Sequence, residues 1–431
     1  MARALSDRRL WRIFLLGTAS GFPWLLIGSA MTAWLTEVGL SRTGVGFFGA
    51  VLVLYTINFL WAPIVDHVRL PVLGHLGQRR SWIIACQGLL IVFAVLLALT
   101  GPQFSLTTTA LIAIGIAAAS ATQDLAIDAY RITVIGEDEP ELLGHAAAMA
   151  TCGWWTGSSL PGVVAFWLAD PIGWSNVYLG LAVLVVPITL LVWRLFPEPP
   201  RPTDVPFDWR RLDSWVQDTY FDAVAEFFRR NGVQLALGLL GFIFLFKIGE
   251  AFLGRMVIRF YIEVGFSNAD IGTYSKGLGW LVTMVCALAA ALLTGRFGVI
   301  RGLFLAGIAM AATNLLFAWI AITGPDTRAL AYAVVADGVT SAFSTVAFVA
   351  FISFYTSRLH TAAQYGALAS LGNSGRTVLA ASSGVVIDAL GGAWAAFFVI
   401  TAVMVTPSLG ILVWIGRRIG REAPQAMSSR P

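Results

Sequence analysis

The chain has 431 residues, of which 58% are hydrophobic and 12% charged, where a soluble domain carries roughly 45–50% and 25%. That balance excludes a water-soluble globular fold and predicts an all-α integral membrane protein. The formal net charge of +4 follows from arginines placed between apolar runs, so it reports topology and not a nucleic-acid partner.

A helix of about 20 apolar residues crosses a bilayer. Twelve such runs are predicted, at Trp11–Leu35, Val45–Val65, Trp82–Leu99, Leu106–Tyr130, Ala146–Leu168, Asn176–Leu195, Val233–Phe260, Ile271–Leu293, Leu303–Ile322, Ala329–Phe354, Gly366–Ile387 and Ala393–Ile415. The first follows Arg3, Arg8 and Arg9 as a signal peptide would, but it is too long, and eleven more follow; it reads as a retained helix. Arginines gather before the first run, in the second, sixth and eighth connections, and at the carboxyl end, whereas odd-numbered connections hold little beyond Arg42 and Arg328. The positive-inside rule then puts both termini in the cytoplasm.

The segment EVGLSRTGVG at Glu37 to Gly46 returns as EVGFSNADIG at Glu263 to Gly272, about 226 residues on. Internal repetition at this scale divides a membrane chain into two parallel halves, the usual build of a transporter with its substrate site between them. The predicted organisation is a six-helix bundle over residues 1–196, a cytoplasmic linker over 197–231, and a second six-helix bundle with a short tail over 232–431. PEPPRPTDVP begins the linker as a proline-rich spacer. The following Phe207, Leu212, Trp215, Tyr220, Phe221, Val224, Phe227 and Phe228 have the spacing of a helix lying on the membrane surface.

Polar residues inside the runs are few, and each costs about 2.5–3.5 kcal/mol to insert when ionised, which marks them as functional candidates. The fourth run carries Ser120, Gln123, Asp124 and Asp128. A carboxylate such as Asp124 is neutral when isolated in an apolar helix and charged when water or a cation reaches it, which suits proton coupling or substrate contact; a static helix–helix hydrogen bond is the alternative. Asp128 is either a second coupling group or a latch to Arg79, Arg80 or Arg131. The seventh run holds Lys247 and Glu250, three apart and able to pair, then Arg255 and Arg259, the latter expected to snorkel outward. Lys247 and Lys276 are the only two lysines. A lysine adapts its charge to burial where arginine does not, so Lys247 is assigned to substrate or coupling chemistry, with Glu250 as a coupling partner. Lys276, and Arg376 among small residues of the eleventh run, complete the expected set of cations for substrate carboxylates.

Of the 16 tryptophans, Trp11, Trp174, Trp193 and Trp414 fall at run ends, as interfacial belts do. Trp24, Trp154, Trp155 and Trp280 lie deeper and could stack on sugar rings or simply pack. GFPW at Gly21–Trp24 and SSLPG at Ser158–Gly162 predict kinks. Cys86, Cys152 and Cys286 sit inside runs without metal spacing, and His67, His75, His145 and His360 fall at run ends, so no metal site is expected.

Asp66 followed by GQRR at Gly77–Arg80, with the weaker counterpart TGRFG at Thr294–Gly298, resembles the major facilitator superfamily. ASGFP at Ala19–Pro23, FLWAPIVD at Phe59–Asp66, RRSW at Arg79–Trp82, ATQDLAIDAYR at Ala121–Arg131 and FKIGEAF at Phe246–Phe252 are similar to the AmpG-type muropeptide permeases over nearly the whole chain. The resemblance implies a monomeric proton symporter in a bacterial inner membrane, importing an anionic glycopeptide such as an anhydromuropeptide without a cofactor. The expected site is then proton coupling by Asp124, Asp128 and Glu250, substrate contacts from Gln123, Lys247, Lys276, Arg376, Trp154, Trp155 and Trp280, and gating by Asp66, Arg79 and Arg80. Such permeases often carry a basic residue where this chain has Asn58 and Trp155, which keeps another anionic solute, a siderophore or an acetyl-CoA-like compound, as the alternative. An integral membrane enzyme is disfavoured: Asp124 and Asp128 lie on one helix, whereas an acid dyad needs carboxylates facing each other.

Overall fold

The computed structural model describes residues 7–135, 140–198, 222–286, 299–355, 368 and 370–428. Among these, nine helices are long and apolar enough to cross a membrane. We label α1 Arg8–Glu37, α2 Arg42–Trp61, α3 Gln78–Phe104 and α4 Leu106–Val134. Next, α5 and α6 are the two arms, 140–172 and 174–195, of a helix bent at Gly173, whose φ of 77° lies outside the helical region. Then follow α7 Val233–Val264, α8 268–286, α9 Val299–Thr323, α10 Thr327–Tyr355, α11 370–389 and α12 Trp394–Arg418. The twelve expected spans fit this order, with 287–293 of the eighth and 366, 367 and 369 of the eleventh outside the described residues. So are 199–221 of the linker and the TGRFG segment. Leu99, Phe104, Leu111, Val183, Ile322 and Tyr332 are all at least 64% exposed, an apolar outer surface that water would not tolerate at this extent and lipid covers.

Contacts divide the chain into two compact units, Met1–Phe207 with Ile258–Met284, and Asp208–Val257 with Val285–Pro431. In the first, α1 crosses α5 through glycines on both helices. A Cβ on Gly17 would collide with the carbonyl of Ala150, on Gly21 with that of Trp154, on Gly153 with that of Phe14, and on Gly157 with that of Thr18. Each helix thus offers a small-xxx-small stripe that lets the two backbones touch. Gly157→Leu is expected to cost more than the roughly 1–3 kcal/mol typical of overpacking, because the obstacle is main chain and cannot rotate away. A collapse of the monodisperse peak on size-exclusion chromatography in detergent should show it, while Gly180→Ala, where a Cβ meets nothing within 4 Å, should leave the profile unchanged.

Other local rules explain the remaining bends. Pro23 removes a backbone donor inside α1, and the helix continues as a π-helical stretch over Leu25–Ser29. Pro161, in contrast, is carried within α5 without a departure from helical angles, the bend falling at Gly173. The α3–α4 hairpin closes at Gly101 and Pro102, and Ser105 caps α4 by accepting from the Thr108 amide at 3.2 Å.

In the second unit, the core joins Leu239, Phe242, Ile243 and Phe246 of α7 to Ala347 and Phe351 of α10 and Leu412 and Ile415 of α12. The part of the expected surface helix that is described, Asp222–Asn231, contributes Phe227 to this core, with Arg230 donating to the Tyr355 carbonyl. α7 is interrupted between Leu245 and Ile248, which sets Lys247 at a break in the helix.

Candidate functional site

The expected site residues fall into two groups, one in each unit. In the first unit, Asp124 on α4 is half-buried and accepts from Ser20 Oγ of α1 at 2.6 Å. Its neighbour Gln123 is fully buried and donates through Nε2 to the Ala19 carbonyl at 3.0 Å, while its Oε1 has no hydrogen-bond partner among the described residues. These two residues therefore read successive positions of α1 just before its Gly21–Pro23 bend. Asp128, one turn on, is 62% exposed at its side chain and pairs with Arg131 at 3.0 Å.

The tryptophans form a chain of aromatic contacts. Trp24 packs on Tyr55 with ring centroids 4.8 Å apart and edge-on to Trp154 at 5.5 Å, and Trp154 meets Trp155 at 5.1 Å. Trp280 of α8 donates to Thr156 Oγ1 at 3.2 Å. One turn before it, the Lys276 stem runs beside Gly162 of α5, where an added Cβ would lie 3.3 Å from Lys276 Cδ. Lys276 thus joins Trp154, Trp155 and Trp280 around α5.

In the second unit, Lys247 is 2% exposed. Its Nζ donates to Glu250 Oε2 at 2.6 Å, Ser344 Oγ at 2.7 Å and Thr345 Oγ1 at 3.0 Å, which uses all three ammonium hydrogens. Between the pair, Gly249 has its own reason: a Cβ there would strike the Thr401 carbonyl of α12. Arg376 and Asp337 lie within electrostatic reach of Lys247, and Asp337 Oδ1 is buried without a hydrogen-bond partner among the described residues. Ser344, Thr345 and Asp337 were not singled out from the sequence. The hydroxyls could not have been, since only the fold brings them to Lys247. Asp337 could: it is an acidic residue inside the tenth predicted run, and the rule that marked Asp124 marks it equally.

Both Lys276 and Arg376 sit in π-helical stretches, Ile271–Leu278 and Gly375–Leu379, a geometry concentrated at functional sites. Arg259 corrects an expectation. It does not snorkel outward but is 9% exposed, with Nε donating to Glu263 Oε1 at 2.6 Å and the guanidinium reaching the Leu40 carbonyl. Of the three residues expected to gate, Asp66 has its side chain outside the described residues. Arg79 and Arg80 begin α3, and their backbone amides donate to the two oxygens of Glu198 at 2.7 and 3.1 Å, a carboxylate held at a helix N-terminus. Among the described residues no group of three or more His, Cys, Asp or Glu could hold a metal ion.

The profile of the Major Facilitator Superfamily matches residues 13–325. The chain is similar to the anhydromuropeptide permease of Escherichia coli K12, 31% identical over 93% of this chain and 78% of that protein. It is also similar to a Rickettsia felis protein carrying the name AmpG 4, 27% identical over 97% of this chain and 99% of the other. Among solved structures, the nucleoside transporter NupG superposes with a TM-score of 0.72 over 95% of this chain and 100% of its own, at 13% identity, a likeness of fold.

Proposed function

Because the chain belongs to the Major Facilitator Superfamily and, within it, to the AmpG-type muropeptide permeases, we propose that it imports anhydromuropeptides by proton symport across a bacterial inner membrane. It is a multi-pass membrane transporter and not an enzyme. In this reading both termini face the cytoplasm, the protein works as a monomer without a cofactor, and residues 1–196 move against 232–420 to alternate access, with Asp66, Arg79 and Arg80 gating the cytoplasmic side.

The observation that carries the chemistry is the saturated ammonium of Lys247. With Glu250, Ser344 and Thr345 on its three hydrogens, Lys247 can take a substrate carboxylate only by releasing one partner, and Glu250 is the one that a proton can detach. Protonation of Glu250 and binding of an anion at Lys247 thus favour each other, as symport requires. Asp124, on its Ser20 bond, is the second proton-accepting group, with Asp128 nearer the cytoplasm. Lys276 and Arg376 supply further cations for peptide carboxylates, Gln123 an amide oxygen without a partner among the described residues, and Trp154, Trp155 and Trp280 flat apolar faces for sugar rings.

Competition in proteoliposomes tests the substrate. Uptake of labelled anhydromuropeptide should be inhibited by unlabelled fragments that keep the disaccharide, and only weakly by free peptide or unrelated anions. Indifference to every muropeptide fragment, with inhibition by a siderophore or an acetyl-CoA-like solute, would transfer the assignment to that class.

A further inference from the structure

The two segments in which the chain repeats itself face each other. Both are the same helix–turn–helix corner. Gly39 and Gly265 end their helices at φ of 82° and 109°, a conformation that favours glycine. The next residue closes the end in each, Leu40 N–H to the Leu35 carbonyl at 3.0 Å and Phe266 N–H to the Tyr261 carbonyl at 2.9 Å. Ser41 and Ser267 then cap the following helices, accepting from the amides of Gly44 and Asp270.

Helix chemistry accounts for the glycine and serine of the repeat, but not for its glutamate. The glutamates are used across the pair. Arg42 of the first segment donates to both carboxylate oxygens of Glu263 in the second, at 2.8 to 3.1 Å. Asn268 of the second donates to Glu37 of the first at 2.8 Å. Arg42 and Asn268 are equivalent positions, each five residues past its own glutamate. Each repeat is therefore held by the same position of the other. The two arms differ in strength. Glu263 has two arginines, Arg42 and Arg259. Glu37 has two neutral donors, Asn268 and the Trp174 indole at 2.8 Å, and it shares the Asn268 amide with Asp170 at 2.7 Å. Asn268 is 8% exposed, and its Oδ1 has no partner among the described residues.

We propose that this reciprocal pair is the outer gate of the transporter, a clasp with one ionic arm and one neutral arm, and that residues 42 and 268 set how long it stays closed. The proposal rests on the alternating-access reading above, in which Glu37–Gly46 and Glu263–Gly272 lie on opposite moving halves at the outer side. The neutral arm keeps the clasp weak enough to open in each cycle: an arginine at 268 would meet two carboxylates, Glu37 and Asp170, and close it firmly.

Spin labels on Val38→Cys and Val264→Cys, equivalent positions next to the two glutamates, report the clasp directly by pulsed electron–electron resonance in lipid vesicles without substrate. The parent pair should show a short and a long separation. Arg42→Asn should shift the ratio toward long, Asn268→Arg toward short, each by about two- to fivefold, the weight of one partly exposed ion pair. The exchange Arg42→Asn with Asn268→Arg should return the ratio to that of the parent and recover the uptake lost in both single variants. Glu37→Gln, which changes almost no volume, stands in should an arginine variant fail to fold, and should also shift toward long. One fixed separation in all variants, or a shift of both single variants in the same direction, overturns the clasp. Opposite shifts without transport of any anhydromuropeptide support the clasp and refute only the substrate assignment.

Discussion

Asp124→Asn is expected to abolish accumulation of substrate against its gradient while exchange across the membrane persists. Asparagine keeps the size of the side chain and an oxygen for the Ser20 hydroxyl, which donates to Asp124 at 2.6 Å, so the α1–α4 contact survives and only the exchangeable proton is lost. A carrier that can no longer load and unload that proton still alternates but is uncoupled, and in vesicles with an imposed proton gradient the accumulation ratio should fall to about one. Exchange by the variant should keep only the pH dependence that Glu250 imposes through Lys247, since the amide at 124 is neutral throughout. Normal concentration of substrate by Asp124→Asn would remove this residue from the coupling path and leave Glu250 or Asp337 to carry it.

Lys247→Met should be the most damaging single substitution in the second unit. It removes the cation that Glu250 faces at 2.6 Å, with side chains 3% and 18% exposed, and leaves Asp337 beside a second uncompensated carboxylate. Breaking a buried pair from one side costs about 3–5 kcal/mol, whereas replacing both members is often neutral. The thermal midpoint in nanodiscs should therefore drop sharply for Lys247→Met and recover largely in Lys247→Met with Glu250→Gln, while uptake stays absent in both. Recovery of uptake in the double variant would show that the pair is a structural brace, and the binding role would pass to Lys276 and Arg376.

What the sequence disclosed, and what it withheld, follows from how far apart the interacting atoms are along the chain. The Lys247–Glu250 bond joins residues three apart on one helix, so spacing alone predicts it. The intramembrane position of Asp124 is equally legible, because insertion cost depends on hydropathy around one residue. Ser20 and Ser344 are invisible by the same logic. Each reaches its partner across about a hundred residues of chain, and a serine in an apolar run announces nothing. The π-helical stretches holding Lys276 and Arg376 have no periodic signature, since one wide turn within a long helix barely moves the hydrophobic pattern. Arg259 was misplaced because snorkelling assumes a helix end in contact with lipid, and the fold instead supplies Glu263 and the Leu40 carbonyl. The repeated EVG segment gave two parallel corners on sight, but their mutual contact required the structure.

The glycine crossing of α1 and α5 also has a genetic consequence. At an ordinary packed position, a mutation that adds volume can be offset by a smaller residue opposite. Gly17, Gly21, Gly153 and Gly157 meet main-chain atoms, and no substitution can make a carbonyl smaller. A suppressor screen begun from Gly21→Val or Gly157→Val should return revertants to glycine at the same codon, since even the Cβ of alanine meets a carbonyl there, and no compensating change on the opposite helix. These four codons form a closed set, in which inheritance can preserve the residue but cannot trade it.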